Sequence, residues 1–134
     1  MRLWMPYVVA FVVFCHGFIY VRIGSVLPGP IKEWKGTSWL LGAAVTEHQL
    51  TGLVVGLHVI AGVATLACAV AIGFAPLFPG WWRPLALGGT AVGIAAFAVF
   101  WDGQTELLFQ EGAVGAVVSL ILFVSALMLP GAFH

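Results

Sequence analysis

Four long apolar stretches, each stopped by proline or glycine, decide what this chain can become. They cover residues 4–27, 48–74, 84–101 and 106–129, and they end at Pro28-Gly29-Pro30, Ala75-Pro76, Asp102-Gly103 and Pro130-Gly131. Each is near the ~20 residues that carry a helix across a ~30 Å hydrocarbon core. Inside that core a helix satisfies its own backbone hydrogen bonds, whereas a strand must close a barrel to do so. The period-two alternation of a barrel strand is absent from all four stretches. Composition agrees: 62% of the residues are hydrophobic and only 7% are charged, where a soluble domain carries about 25% charged residues. A soluble fold of this size could not bury so much apolar surface.

The expected architecture is therefore all-α: an integral membrane, antiparallel four-helix transmembrane bundle with both termini on the same side. No linker or low-complexity segment divides it, so residues 1–134 form a single transmembrane domain. His16, Tyr20 and Arg22 interrupt the first stretch and no clear small-residue cleavage site follows it, so it reads as a retained helix and not as a leader. We call the side of the termini face A and the opposite side face B. The first connection, 29–47, is long for a turn at about 19 residues. It is expected to hold an interfacial helix or a cap within 31–47. The alternative is an early start of the second helix near Ser38. All six tryptophans fall near stretch ends, as an aromatic belt requires. Arg22, Lys32 and Lys35 on face B against Arg2 and Arg83 on face A favour face B as the cytoplasmic side.

Lipid gives helices no hydrophobic reason to associate, so close packing relies on small residues. Gly52 and Gly56, Gly89 and Gly93, and the stripe Gly112, Gly115, Ser119 and Ala126 supply them. The same residues would suit a homo-oligomer seam or a contact within a larger membrane complex. Cys15 and Cys68 lie in different stretches and read as small core residues rather than a disulfide. Five basic and five acidic residues cancel, and no basic stripe points to nucleic acid.

The ionisable residues carry the functional information. His48, Thr51, Val55, His58, Gly62 and Thr65 are spaced by 3, 4, 3, 4 and 3, which suggests one helical face. Polar and small residues on one face of a membrane helix are expected to look inward. His16 and Tyr20, four residues apart, share a face of the first helix. At ~1.5 Å per residue both His16 and His58 lie roughly 15 Å below face B. Arg22, Glu47, His48, Asp102, Glu106, Gln110 and Glu111 all lie closer to face B, which makes that half of the bundle the polar one.

One reading is an acid/base pocket for a lipophilic small molecule, suited to isomerisation, cyclisation or epoxide opening. Histidine titrates near neutral pH, and a desolvated glutamate can be held as an acid. His16, His58, Glu106 and Glu111 are then the expected catalytic residues. Tyr20, Glu47, His48, Trp101 and Asp102 support them. Against it stands a structural reading in which each histidine is interhelical glue worth about 0.6–2 kcal/mol, and Glu47, Asp102 and Glu106 are merely solvated at the interface. A further reading is haem b held between His16 and His58, in an electron-transfer subunit. A metal site from Glu47, His48 and the acids of the fourth stretch lacks any His-x-x-x-His or Glu-x-x-His spacing. No phosphate loop, serine nucleophile elbow or cysteine pair occurs. A non-catalytic accessory subunit, docking by its glycine faces, is the competing class.

The segments His16-Gly17-Phe18-Ile19-Tyr20, Trp81-Trp82-Arg83-Pro84-Leu85 and Phe100-Trp101-Asp102-Gly103 resemble small four-helix membrane proteins of bacteria and archaea. These are broadly similar in architecture to DoxX-like proteins. The resemblance implies the four-helix fold and a prokaryotic plasma membrane. It implies no particular activity.

Overall fold

A computed structural model describes residues 4–26, 37–101, 103 and 113–129. These form four α-helices, α1 (Met5–Val26), α2 (Glu47–Gly73), α3 (Trp82–Phe100) and α4 (Ala113–Met128), and one 3₁₀ turn, Gly42–Ala44. No strand occurs among the described residues. α1, α2 and α3 are each long and apolar enough to cross a membrane, and α4 has 16 described residues, all but Gly115, Ser119 and Ser125 plainly apolar.

Local chemistry sets the helix ends. Thr46 and Gln49 form a capping box at the start of α2. The Thr46 hydroxyl accepts from the Gln49 N–H at 3.3 Å, and the Gln49 side-chain oxygen accepts from the Thr46 N–H at 3.0 Å. Glu47 in the first turn faces the positive end of the helix dipole. α2 therefore starts there and not near Ser38, and the described residues before it, 37–46, hold a single 3₁₀ turn, while 31–36 lie outside the described residues. α3 starts at Trp82, two residues earlier than its apolar stretch suggested. Pro84 is no obstacle, because N–H groups in the first turn have no intrahelical acceptor to lose.

The helices run antiparallel. A Cβ on Gly73 would touch Ala10, and one on Gly62 would meet Val21, so numbering falls along α2 as it rises along α1. The Cys68 thiol donates to the Trp82 carbonyl at 3.3 Å, tying α2 to α3. Arg83 Nε donates to the Ala126 carbonyl at 3.0 Å, tying the start of α3 to the end of α4. The start of α1 and the end of α4 consequently share one end, face A. α1 packs on α2, α2 on α3 and α3 on α4, while α1 and α4 approach each other sparsely.

Glycine lets the backbones meet, though not at every pair the sequence offered. A Cβ on Gly62 would sit 2.6 Å from Val21 Cγ2 and 2.9 Å from the Val21 nitrogen, and one on Gly17 would sit 2.9 Å from the Leu66 nitrogen. These two glycines make the α1–α2 contact. Gly89 does the same for α3 against Ala64 and Thr65. Gly52 and Gly56, expected to pack, have nothing within 4 Å. They lie on the side of α2 turned away from both α1 and α3.

Two apolar clusters fill the bundle. Near face A, Val13, Cys68, Ala69, Ala71, Ile72, Trp82, Ala86 and Ala126 are buried together. Near face B, Leu50, Val54, Val99 and Phe100 are buried together, with Ile23, Leu41 and Val45 packed around them. This corrects two expectations. Trp82 is a core residue, 4% exposed, whereas Trp4, Trp39 and Trp81 are more than half exposed as belt residues should be. Near face B Ser38 is the one buried polar residue among those described, Asp102, Glu106, Gln110 and Glu111 lie outside the described residues, and the buried polar side chains that meet across helices sit between the two clusters.

Candidate functional site

Between the apolar clusters all four helices contribute to one knot of polar and aromatic side chains. α1 presents His16 and Tyr20 one turn apart, their rings edge to face with centroids 4.9 Å apart. α4 presents Ser119, which is fully buried. The Ser119 hydroxyl is 3.0 Å from His16 Nε2 and 2.9 Å from the Tyr20 hydroxyl. α3 contributes an absence: a Cβ on Gly93 would lie 2.6 Å from the Tyr20 oxygen and 3.2 Å from the Ser119 oxygen. Glycine there makes room for the hydrogen bond between them. Gly115, one turn before Ser119 on α4, faces His16 and Tyr20 at ordinary van der Waals range.

Donor and acceptor arithmetic limits how this chain can be wired. Serine has one O–H to give and can accept twice. If Tyr20 donates to Ser119, then Ser119 can donate to His16 Nε2. If His16 Nε2–H donates to Ser119, then Ser119 can donate to Tyr20. The two wirings differ in the His16 tautomer, with Nε2 as acceptor in the first and donor in the second. Tyr20, Ser119 and His16 thus form one hydrogen-bonded chain that ties α1 to α4.

α2 adds His58, 2% exposed. Its Nδ1 donates to the Val54 carbonyl at 2.8 Å. A carbonyl oxygen only accepts, so the assignment of this hydrogen follows from the partner. In the neutral ring Nε2 then carries a lone pair. Among the described residues no hydrogen bond reaches it. With Nδ1 tied to its own helix, the far edge of the imidazole projects away from α2. It lies between Tyr20 of α1, centroid 5.7 Å away, and Phe100 of α3, 5.8 Å away and edge to face. Thr65 and Thr90, also buried, spend their hydroxyls on their own helices, donating to the Ala61 and Ala86 carbonyls. They have no O–H left to donate.

No family model matches the chain. No curated protein and no solved structure matches it either. The site must therefore be judged on its own geometry.

Of the residues expected from the sequence, His16, Tyr20 and His58 are brought together. Glu47 and His48 are not: both are exposed at the start of α2. The reason is helical phase. The stripe advances on average 3.4 residues per step against 3.6 per turn, so it falls behind by about 20° each time. The three steps from His48 to His58 (3, 4 and 3) cover only ten residues, about 1000° of turn, so His58 falls about 80° short of three full turns. His58 faces inward and His48 does not. Trp101 is half-buried and belongs to an aromatic group near face B. Its ring lies 5.6 Å from Trp39 and stacks with Phe97 at 6.5 Å, while its carbonyl accepts from the Trp39 N–H at 2.9 Å. Asp102, Glu106 and Glu111 lie outside the described residues.

Ser119 is the residue the sequence reading undervalued, counted there only as a small packing residue. The signal was present. It is one of two hydroxyls in an otherwise apolar helix and the one nearer the middle, and a buried hydroxyl in lipid needs a partner. Gly93 is the second, since its role is defined only by the Tyr20 oxygen that fills its space.

Proposed function

We propose that this protein binds a lipid-soluble small molecule within the plasma membrane and handles it by general acid/base chemistry. His58 is the base that meets the ligand, and the Tyr20–Ser119–His16 chain supplies or removes a proton beside it. Isomerisation or cyclisation of an isoprenoid-like molecule, or opening of an epoxide, is the reaction class such a dry, hydrogen-bonded site suits. Glu106 and Glu111 are the acids that would complete it, with Asp102 in support. The kinship of three short segments to DoxX-like membrane proteins belongs to the same proposal. The observation that carries the reading is the wiring itself. Buried His58 holds Nδ1 on the Val54 carbonyl, and among the described residues no hydrogen bond reaches its Nε2, beside the bonded set Tyr20, Ser119 and His16.

The test is native mass spectrometry of the detergent-purified protein, beside its His58→Ala and Ser119→Ala variants. A co-purified lipophilic mass in the wild type, lost in His58→Ala with helicity unchanged by circular dichroism, is the expected result. Absence of any such mass from wild-type protein extracted under mild conditions sinks the reading. The same sample answers the haem alternative through its absorbance. Among the described residues no hydrogen bond reaches His58 Nε2, but His16 Nε2 already holds Ser119, so a Soret band is not expected.

One observation favours the accessory-subunit reading. Gly52 and Gly56, four residues apart, face open space, and such a pair can admit a helix from another chain. Gly52→Leu would then dissociate a complex without disturbing the bundle. If the purified protein is monomeric and keeps its ligand, that face meets only lipid.

A further inference from the structure

We propose that the face-A end of α2 binds one glycerophospholipid, whose two acyl chains straddle that helix. The inference is independent of the acid/base reading. Ala67, the innermost residue of the site on α2, lies about 14 Å beyond His58 along the helix. Two apolar grooves flank α2 there. One, of about 450 Å³, lies between α2 and α3 and is lined by Ala67, Val70, Ala71, Phe78, Trp81 and Leu85. The other, of about 260 Å³, lies between α1 and α2, where the small residues Ala10, Ala69 and Gly73 leave space among Phe11, Phe14 and Phe74. Val70 lines both grooves and is the ridge between them.

What fills the grooves follows from where they open. α1, α2 and α3 are long and apolar enough to cross a membrane, so their outer sides meet lipid. Phe11, Val70, Phe74 and Trp81 are each at least 46% exposed on that side. From Ala67 to Phe74 the helix rises about 10 Å, most of the ~15 Å of hydrocarbon in one leaflet. The face-A ends of the grooves carry donors. Tyr7, early in α1, lines the narrower groove, and Trp81, just before α3, lines the wider one. A hydroxyl and an indole N–H at headgroup level suit the ester carbonyls of a glycerolipid, which only accept. None of the named lining side chains is charged, so chains and esters are what this site reads. The walls from the α2–α3 connection are preformed. The N–H groups of Leu77, Phe78 and Trp81 donate to the Phe74, Ala75 and Phe78 carbonyls at 2.9, 3.2 and 3.3 Å. Walls already ordered spare the ordering cost of binding, which distinguishes these grooves from surface that lipid merely wets. Two chains joined by one glycerol make a bivalent ligand, and the second chain then binds at high effective concentration.

The experiment titrates delipidated wild-type protein in detergent with dioleoyl phosphatidylcholine or with one-chain oleoyl lysophosphatidylcholine, read by native mass spectrometry. One diacyl lipid or two lysolipids should bind, the diacyl lipid at least about tenfold more tightly. Phe11→Ala and Trp81→Ala each remove an exposed wall of one groove. Each should lower the lysolipid count to one and cost the diacyl lipid most of its advantage. The diacyl lipid should persist in His58→Ala, which separates it from any ligand at the bundle core. A wild-type count of one lysolipid, or equal affinity for the two lipids, overturns the straddling lipid. Binding that neither wall variant weakens also overturns it, because lipid then adheres without using the grooves. A lipid-free dimer that either variant dissociates assigns this face to a second copy of the chain and overturns it as well. If one variant loses its helicity by circular dichroism, the other still reads its own groove, and the wild-type count stands without either.

Discussion

Ser119 holds two partners on a single hydroxyl, so its removal is felt at both. Ser119→Ala leaves the Tyr20 O–H and His16 Nε2 without their bond in the bundle core. Such losses in membrane proteins are modest because the reference state also lies in lipid, and about 1–2 kcal/mol is expected here. The diagnostic feature is coupling. In the wild type Tyr20→Phe loses the bond to Ser119, but in a Ser119→Ala background that bond is already gone. The two costs should fall short of additivity by about 0.5–1 kcal/mol in an SDS-unfolding cycle. Strict additivity would mean that the hydrogen bond contributes nothing. The residues of this site differ in how well the sequence announces them. His16, Tyr20 and His58 are conspicuous because polar side chains are costly in a membrane helix. Ser119 is not, since serine serves equally as a small spacer and as a hydrogen-bonding group. His48 looked like a partner of His58 because a 3-4-3 spacing approximates one face. Over ten residues the approximation fails, and only the packed helix reveals by how much.

Pairs of helices are held here by backbone proximity in the apolar regions and by single polar ties at their ends. Gly17 and Gly62 bring α1 onto α2, and the contacts that a Cβ on Gly62 would meet include backbone nitrogen and oxygen as well as a side chain. Gly62→Ala must therefore move a helix, and about 1–3 kcal/mol of destabilisation is expected. Gly56→Ala, made on the same helix into open space, should be neutral or slightly stabilising through helix propensity. Thermal unfolding of the two variants in one detergent compares them directly; similar losses for both would refute this packing. At the face-A end, Arg83 donates to the Ala126 carbonyl, one of the last four carbonyls of α4 that no helical N–H can satisfy. Arg83→Ala should cost about 1–2 kcal/mol. Arg83→Lys should recover only part of that, because lysine lacks the secondary Nε–H in the same place. Full recovery by lysine would show that charge near the helix end matters and the hydrogen bond does not. The glycine pattern alone could not separate Gly62 from Gly56, because small residues at four-residue spacing mark a possible contact and say nothing about which neighbour exists.

The whole molecule was the most legible level, because a bilayer leaves few alternatives. Four apolar stretches of spanning length admit helices alone, and consecutive crossings of a bilayer must run in opposite directions. Interior chemistry was harder to place. The sequence puts most of its charges toward face B, yet of the buried residues described there Leu50, Val54, Val99 and Phe100 are apolar and only Ser38 is polar. A charge near a helix end satisfies itself at the headgroups, so its position along the chain does not make the nearby core polar. This arrangement fixes a topology that can be checked in one experiment. Trp4 immediately precedes α1 and Leu129 follows α4, and both are more than half exposed at face A. Trp39 is equally exposed before α2, at face B. In a background of Cys15→Ala and Cys68→Ala, single cysteines at positions 4 and 129 should react with a membrane-impermeant maleimide from the same side of sealed, uniformly oriented vesicles. A cysteine at position 39 should react only from the other. Labelling of positions 4 and 129 from opposite sides would require an odd number of crossings. One helix would then have to lie along the membrane instead of through it, and the convergence of His16, Tyr20, His58 and Ser119 from four spanning helices could not hold.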